Sequence, residues 1–420
     1  MSDFIRKDIC EGVAFNSIVD TRFKKSRISA TLVAPLNKKT TAANALLSYV
    51  LTRSCRKYPD FTALNRKLDS LYGAALYPSV STLGDMQVIS FSAAGLDDRY
   101  SLDGESVSSE LADLLCSIIF DPAITDGKFN TEDLEQERRQ LIDAIDADFN
   151  DKRTYAINRC IECMCRNEPF SIGRYGSRED VSKLTQEDVY YAWQQLLANS
   201  KTELAMLGSA DPQNAYDRFR TYFENKPRKM NASTIIIDKP EEVRHITETE
   251  EISQSKLVMG FRAASPDTKE KCVANSLMSA ILGGTPTSKL FVNVREKQSL
   301  CYYCSSSLNI SKGIMLIDSG VETKNIEKTE EAVLEQIRML KNGCITDDEL
   351  ASAKLALKNA YLSSLDSLAA LQLFYINGIL RNMPMSPLEA ASIVENITKE
   401  QVTEFAKKLQ LDTVFSLIGN

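Results

Sequence analysis

The sequence contains a single histidine, His245, among 420 residues. Histidine is the commonest metal ligand and the commonest general base in proteins. One histidine cannot build a histidine-rich zinc site, and a Ser-His-Asp or Cys-His arrangement would have to use His245. This residue lies in the charged segment P-E-E-V-R-H-I-T-E-T-E-E, which is typical of a linker or an edge strand. We therefore expect no histidine-based catalysis in this chain.

Long apolar runs and an excess of positive charge are also missing. No run approaches the roughly 20 apolar residues that span a bilayer, and the first residues hold no apolar signal segment. The formal net charge of -7 leaves no basic surface for nucleic acid. We expect neither a membrane nor a nucleic-acid partner. Ten cysteines without a signal segment favour free thiols in a reducing cytoplasm over a disulfide framework.

Two groups of cysteines have the spacing of metal sites. The run C-I-E-C-M-C holds Cys160, Cys163 and Cys165, and Cys301 and Cys304 form a second C-x-x-C pair. The first group falls on a predicted helix. The second falls on a predicted strand, where this spacing points the two side chains to opposite faces. Since free cysteine packs as a small apolar residue, we expect core packing rather than metal or redox chemistry.

The two halves of the chain share a series of patterns. The segment L-T-Q-E-D-V at 184–189 is echoed by I-T-K-E-Q-V at 397–402, and the following strands end alike, in T-E-L-A-M-L-G and T-V-F-S-L-I-G. The matches keep their order along the chain. The sequence therefore predicts a tandem duplication of one α+β domain, each copy an antiparallel sheet with helices mainly on one face. We place the copies at 1–224 and 247–420, with a linker at 225–246.

The most specific segments are L-G-G-T-P-T-S-K-L-F-V-N-V-R-E-K-Q-S-L-C-Y in the second half and F-N-T-E-D-L-E-Q-E-R-R-Q-L-I in the first. With the paired domains, they resemble the insulinase/pitrilysin-like zinc peptidases and the mitochondrial processing peptidases over nearly the whole chain. The resemblance implies a pitrilysin-like architecture with an inverted zinc motif, H-x-x-E-H, on the first long helix. In that motif two histidines and a later glutamate hold zinc, and the motif's own glutamate is the general base.

This sequence departs from the family pattern at each zinc position. The helix reads N-A-L-L-S, so Asn44 and Ser48 replace the histidines and Leu47 replaces the base. Glu137 matches the upstream glutamate of the charged helix, but the ligand position falls at Ala144. Such side chains cannot hold zinc or activate its water. The resemblance therefore implies a degenerate homologue that is not an enzyme on its own and holds no metal or other cofactor.

Arg295 and Tyr302 match a second-domain pair of the resembling peptidases. There the pair projects into an enclosed chamber, and in two-domain dimeric members it reaches the zinc site across the subunit interface. A guanidinium binds a carbonyl or carboxylate at two points, and a phenol donates to a developing oxyanion. We therefore expect a non-catalytic subunit that forms half of a peptide chamber and completes the zinc site of a partner with an intact H-x-x-E-H motif. A homodimer is the other assembly that the sequence allows.

A purely structural or peptide-holding subunit is the alternative interpretation, in which Arg295 and Tyr302 serve only packing. Some family members have that role in respiratory complexes. Within the family, the overall pattern is most similar to degenerate bacterial subunits associated with elongation factor P modification. No residue of the sequence points to that factor.

Overall fold

The computed structural model describes residues 4–224, 226, 228 and 233–419. Their strands are β1 Phe4–Cys10, β2 Val13–Val19, β3 Lys25–Pro35, β4 Ala75–Leu83, β5 Met86–Leu96, β6 Lys201–Gly208, β7 Arg244–Glu250, β8 Ser255–Arg262, β9 Cys301–Asn309, β10 Ile314–Val321 and β11 Gln410–Gly419. The helices are α1 Thr41–Val50, α2 Phe61–Ser70, α3 Val107–Phe120, α4 Thr131–Asn150, α5 Lys152–Met164, α6 Arg178–Lys183, α7 Gln186–Asn199, α8 Gln213–Phe223, α9 Lys269–Ser279, α10 Ile326–Lys341, α11 Asp347–Ser363, α12 Leu368–Leu380, α13 Pro387–Asn396 and α14 Lys399–Lys407. Two π-helical segments, Ala280–Gly284 and Leu290–Lys297, follow α9. No helix among these described residues is long and apolar enough to cross a membrane.

The chain divides into two compact units. The first consists of Met1–Asp146 and Ile172–Ser233, and the second of Ala147–Ser171 and Thr234–Asn420. The division differs from the predicted boundaries because residues 147–171 pack within the second unit. Strand β7 also begins at Arg244, inside the segment predicted as a linker. Residues 225, 227 and 229–232 of that linker lie outside the described part of the chain.

The first unit is built on a six-stranded sheet in the order β1-β2-β6-β3-β5-β4. Its neighbours are antiparallel except for β2 and β6, which are parallel. Side chains alternate along β3: Ile28, Ala30 and Leu32 enter the core, and the residues between them face the other side. The apolar stripe of α1 packs into the same core through Leu46 and Val50. The alternating apolar residues of the strands and the apolar residues at 3.6-residue spacing in the helices therefore pack into one layer.

The second sheet repeats the first. Its order is β7-β11-β8-β10-β9, with β7 and β11 parallel and the other neighbours antiparallel. Strand for strand, this order and direction match β2-β6-β3-β5-β4. The helices before the matching strands β6 and β11 begin alike, since Thr185 and Thr398 each accept a hydrogen bond from the backbone N–H three residues on. The predicted α+β fold with a duplicated domain is confirmed.

Helix α5 covers a second face of the second sheet. Its residues Ala156, Cys160 and Met164 form a small core with Val258 and Phe415. A Cβ atom built at Gly260 would lie 2.7 Å from the Met164 sulfur, so glycine is what allows the helix to approach β8 this closely. The second unit therefore includes a segment that residues 172–233 of the first unit separate from the rest of it in the chain.

A buried ion network fixes the end of that segment. Glu168 accepts a hydrogen bond from Arg262 at 2.8 Å and lies 2.8 Å from the Lys312 ammonium group. Arg262 also donates to Asp412 at 2.7 Å. All four side chains are at most 4 % exposed. Removal of one partner from such a network leaves an uncompensated charge in the interior, which is strongly destabilising.

We predict that Glu168→Gln destabilises the protein by about 3–5 kcal/mol at neutral pH. Burial raises the pKa of the Glu168 carboxyl, but the hydrogen bonds from Arg262 and Lys312 outweigh it and hold that pKa below the ordinary value of 4.5. The contribution of a carboxyl with a depressed pKa is present above the ordinary pKa and is lost as the pH falls through the folded-state value. Urea unfolding of wild type should therefore weaken below about pH 4.5 more steeply than that of the variant.

The matched control is Glu179→Gln, which breaks the exposed ion pair between Glu179 and Lys183 and should change stability by less than about 1 kcal/mol. Equal stability of wild type and Glu168→Gln at neutral pH would contradict the structural role of the network.

Candidate functional site

The side chain of Asn44, at the first degenerate zinc position, takes part in a network of neutral hydrogen bonds. Its side chain is 3 % exposed, and Nδ2 donates to Oε1 of Gln87 on β5 at 3.1 Å. The Gln87 amide then donates to the carbonyl oxygens of Thr41 at 3.0 Å and Arg174 at 2.8 Å. The network therefore ties α1 to β5 and to the loop after Ser171.

The other degenerate positions offer no metal ligand either. The Ser48 hydroxyl donates to the Ala45 carbonyl at 2.7 Å, and Leu47 lies in the apolar core at 1 % exposure. Ala144, on α4, is partly buried and has no donor atom in its side chain. Within the described residues, no group of three or more His, Cys, Asp or Glu could hold a metal ion. The residues present do not fit the zinc that the family resemblance implies for this place.

Glu137, the one acidic residue that matches the family pattern, is neutralised by an arginine. Its carboxylate lies 3.5 Å from the Arg53 guanidinium and is 7 % exposed. Burial raises the pKa of Glu137, and Arg53 opposes that shift. Arg53 also pairs with Asp133 at 3.1 Å and lies 4.0 Å from the ring centre of Phe61. Glu137 therefore belongs to a structural cluster between α1 and α4.

Arg295 and Tyr302 are brought together by the end of the second π-helical segment. The segment ends at Lys297, and Ser299, two residues on, adopts the left-handed backbone conformation with φ of 52°. The chain then turns into β9, and the Arg295 Nε donates to the Tyr302 carbonyl at 2.9 Å. The guanidinium lies 4.6 Å from the ring centre of Phe291, and its Nη1 is 3.0 Å from Glu296. The Tyr302 side chain is 59 % exposed.

Tyr302 is the extra residue of a β-bulge in an edge strand. Cys301 pairs with Val321 of β10 and Tyr303 pairs with Gly320, so Tyr302 has no partner between them. Bulges bend an edge strand locally and redirect its side chains. The phenol of Tyr302 consequently points away from the core while its neighbour Cys301 is buried.

The same bulge overturns the prediction that Cys301 and Cys304 point to opposite faces. Both are buried in the core of the second unit, at 9 % and 4 % exposure. Strict alternation holds only while each residue has one partner, and the extra residue shifts the second cysteine onto the face of the first. The expectation that these thiols pack in the core is nevertheless met.

Two of the three cysteines of the C-I-E-C-M-C run also pack in a core, whereas Cys163 is only partly buried. Cys160 and Cys165 are buried beside the second sheet. Burial raises the pKa of both thiols, in the case of Cys165 to about 12. A metal site needs thiolates, which these surroundings disfavour.

Two residues of the site were not predicted from the sequence. Gln87 holds the network at Asn44, and Arg53 neutralises Glu137. The signal for Gln87 is a lone amide beside Met86 at the start of an otherwise apolar and small-residue strand, M-Q-V-I-S-F-S-A-A-G. Arg53 has no comparable signal, because it lies in a turn and its partners are about 80 residues away.

The chain is similar in sequence and in structure to several known proteins. The Peptidase M16 inactive domain matches residues 183–357. The probable inactive metalloprotease YmfF of Bacillus subtilis (strain 168) is 29% identical over 409 residues, which cover 97% of this chain and 96% of that protein. A conserved protein from Enterococcus faecalis V583 superposes with a TM-score of 0.90 at 27% identity, covering 100% of this chain and 99% of that one. The peptidase M16 inactive domain from Pseudomonas fluorescens has a TM-score of 0.77 at 20% identity, covering 99% and 98%, and bears on the fold alone.

We predict that Gln87→Leu lowers the free energy of unfolding by about 1–3 kcal/mol, because it leaves the buried Asn44 amide without its acceptor. Denaturant unfolding measures the change. Ser90→Ala is the control on the same strand: it removes one hydrogen bond, to Thr31 at 3.1 Å, and should cost about 1 kcal/mol or less. A Gln87→Leu protein as stable as wild type would contradict the structural role of this network.

Proposed function

We propose that this chain, a non-catalytic homologue of the insulinase-like M16 peptidases, is the accessory subunit of a heterodimeric zinc peptidase. The predicted resemblance to that family and to its catalytically degenerate members is confirmed by the family match and by the similarity to YmfF. The heterodimer and the part that Arg295 and Tyr302 play in it are our proposal.

The observation that carries the proposal is the contrast between the two candidate places. The positions of the zinc motif are occupied by Asn44, Leu47 and Ser48, which are buried and used for packing or neutral hydrogen bonds. Tyr302, by contrast, is displayed at the surface on a bulge. Exposed tyrosines are common on protein surfaces, but the bulge and the hydrogen bond from Arg295 to the Tyr302 carbonyl fix where this phenol is presented. This presentation suits a group that meets a ligand.

The chemistry of the pair suits peptide hydrolysis at a neighbouring metal. A phenol O–H donates to the oxyanion that develops when water attacks a carbonyl. The Arg295 Nε holds the Tyr302 carbonyl and so positions the strand start, while Nη1 pairs with the exposed Glu296. An exposed ion pair of this kind is weak, and a substrate carbonyl or carboxylate can replace it.

The partner that fits this role is an insulinase-like subunit with an intact H-x-x-E-H motif and bound zinc. This chain would form half of the peptide chamber and place Arg295 and Tyr302 at the partner's metal, in the cytoplasm. The substrate class is a peptide or an unfolded protein segment. A homodimer is the other assembly that the sequence allows.

We predict that Arg295→Ala and Tyr302→Phe each lower kcat/KM for peptide cleavage by the assembled heterodimer at least tenfold. Removal of a single oxyanion donor commonly costs about 100- to 1000-fold in kcat. The controls are Lys297→Ala, which removes an exposed cation from the same helical segment, and Tyr303→Phe, which removes a hydroxyl that has no hydrogen-bond partner. Both controls should keep kcat/KM within about twofold of wild type.

If Arg295→Ala and Tyr302→Phe also stay within about twofold of wild type in a complex that forms normally, the contribution in trans is wrong. The structural alternative would then be favoured. One observation supports it: Arg295 binds the Tyr302 carbonyl and packs on Phe291, which are stabilising contacts in their own right. In that case Arg295→Ala lowers the melting temperature of the isolated chain while Tyr302→Phe changes neither stability nor activity.

A further inference from the structure

We propose that Cys301 and Cys304 form a reversible dithiol–disulfide site, oxidised by peroxide, whose state sets the position of Tyr302. The effect on peptide cleavage rests on the function proposed above. The formation of the disulfide does not.

The β-bulge supplies the geometry. Cys301 lies opposite Val321 and Cys304 opposite Ser319, and these partners are only two residues apart on β10. Two residues of strand correspond to roughly 6.7 Å between Cα atoms. Disulfides span Cα separations of roughly 4.4–6.8 Å. In a regular strand the three-residue spacing would correspond to roughly 10 Å, with the side chains on opposite faces.

The two thiols lie on the same buried face of β9 and differ in pKa. The hydrogen bond from the Cys304 thiol lowers the pKa of Cys301, burial opposes that shift, and the nearby Arg295 lowers the pKa further. The same hydrogen bond and deeper burial raise the pKa of Cys304. The thiolate is the reactive form of cysteine. Cys301 is therefore the attacking sulfur and Cys304 the resolving one.

The reaction with hydrogen peroxide is balanced within the pair. The Cys301 thiolate attacks one peroxide oxygen, the O–O bond breaks, and Cys301 becomes a sulfenic acid while hydroxide leaves. The Cys304 sulfur then attacks the Cys301 sulfur, the S–O bond breaks, and the second oxygen leaves as water with the thiol proton. The two cysteines together lose two electrons, and one peroxide becomes two waters. A dithiol reverses the change by thiol–disulfide exchange.

Tyr302 is the residue that such a bond would move. It lies between the two cysteines in the chain, and it is the position without a partner on β10. Strand β10 is held on its other side by β8 along eight paired residues, so it cannot adjust easily. A disulfide that draws Cys301 toward Cys304 must therefore displace the bulge, and with it the Tyr302 carbonyl that Arg295 binds.

Other cysteines of the chain provide internal references. Cys344 is exposed and has no second thiol beside it in its segment K-N-G-C-I-T. Cys160 is buried on α5, and burial raises the pKa of its thiol. The exposed one should be oxidised without forming an internal disulfide, and the buried one should react slowly.

The experiment oxidises the isolated chain with stoichiometric hydrogen peroxide, removes the excess with catalase, and blocks free thiols before peptide mass spectrometry. We expect a Cys301–Cys304 disulfide that dithiothreitol reverses. Cys304→Ser should leave Cys301 as a sulfenic acid that dimedone traps, and Cys344→Ser should leave the disulfide unchanged. If Cys301 and Cys304 are fully alkylated, and so were not oxidised, while Cys344 is oxidised, the proposed disulfide site is wrong.

Two further measurements test whether the oxidation of Cys301 and Cys304 changes the position of Tyr302. Hydrogen–deuterium exchange of the segment 299–304 should speed up on oxidation in wild type but not in Cys304→Ser. The oxidised chain, mixed with the untreated partner, should lose kcat/KM to the level of Tyr302→Phe, and dithiothreitol should restore it. A disulfide that forms without changing exchange at 299–304 would overturn the coupling. If Tyr302→Phe itself has no effect on cleavage, the function proposed above fails, while mass spectrometry and exchange still decide the redox site.

Discussion

One unpaired residue in an edge strand determines most of what is distinctive about the second unit. Because Tyr302 has no partner on β10, the strand start carries an exposed phenol and two buried thiols on one face. The same stretch receives the Arg295 side chain from the preceding helical segment, which is followed by the left-handed Ser299. Without the bulge, alternation would direct either Cys301 or Cys304 out of the core. The bulge therefore allows the start of β9 to bury two thiols in the apolar core and to expose a phenol at the surface.

The first unit, by contrast, buries its polar side chains at the corresponding candidate site. Its helix α1 lies where the zinc peptidases that the chain resembles have a metal site, and the polar side chains buried there are paired. Asn44 and Gln87 satisfy each other and two backbone carbonyls, and Arg53 balances the charge of Glu137. Buried polar groups are tolerated when they are paired. Neutral hydrogen bonds and one ion pair therefore occupy the place where the resemblance implies zinc.

The duplicated α+β fold could be predicted because it depends on local sequence patterns. These patterns are the alternation in β3, the apolar stripe of α1 and the repeated helix caps at Thr185 and Thr398. Each of these depends on residues that are close in the chain. The bulge at Tyr302 could not be predicted, since it is defined by pairing with β10, and the cysteine orientation was wrong for that reason. The placement of α5 in the second unit was also missed. Helix α5 directly follows α4, and chain order does not reveal that its apolar side matches β8 across about 100 residues.

Both units resemble the peptidase architecture, and the residues at the zinc position do not suit the metal. We propose that a partner subunit holds the zinc. The most direct test is to purify this chain with its bound proteins from the cells that produce it and to measure zinc in the complex and in the isolated chain. We expect zinc in the complex together with a subunit carrying an intact H-x-x-E-H motif, and none in the isolated chain. Zinc bound to the isolated chain, or a complex without a metal-carrying subunit, would contradict it.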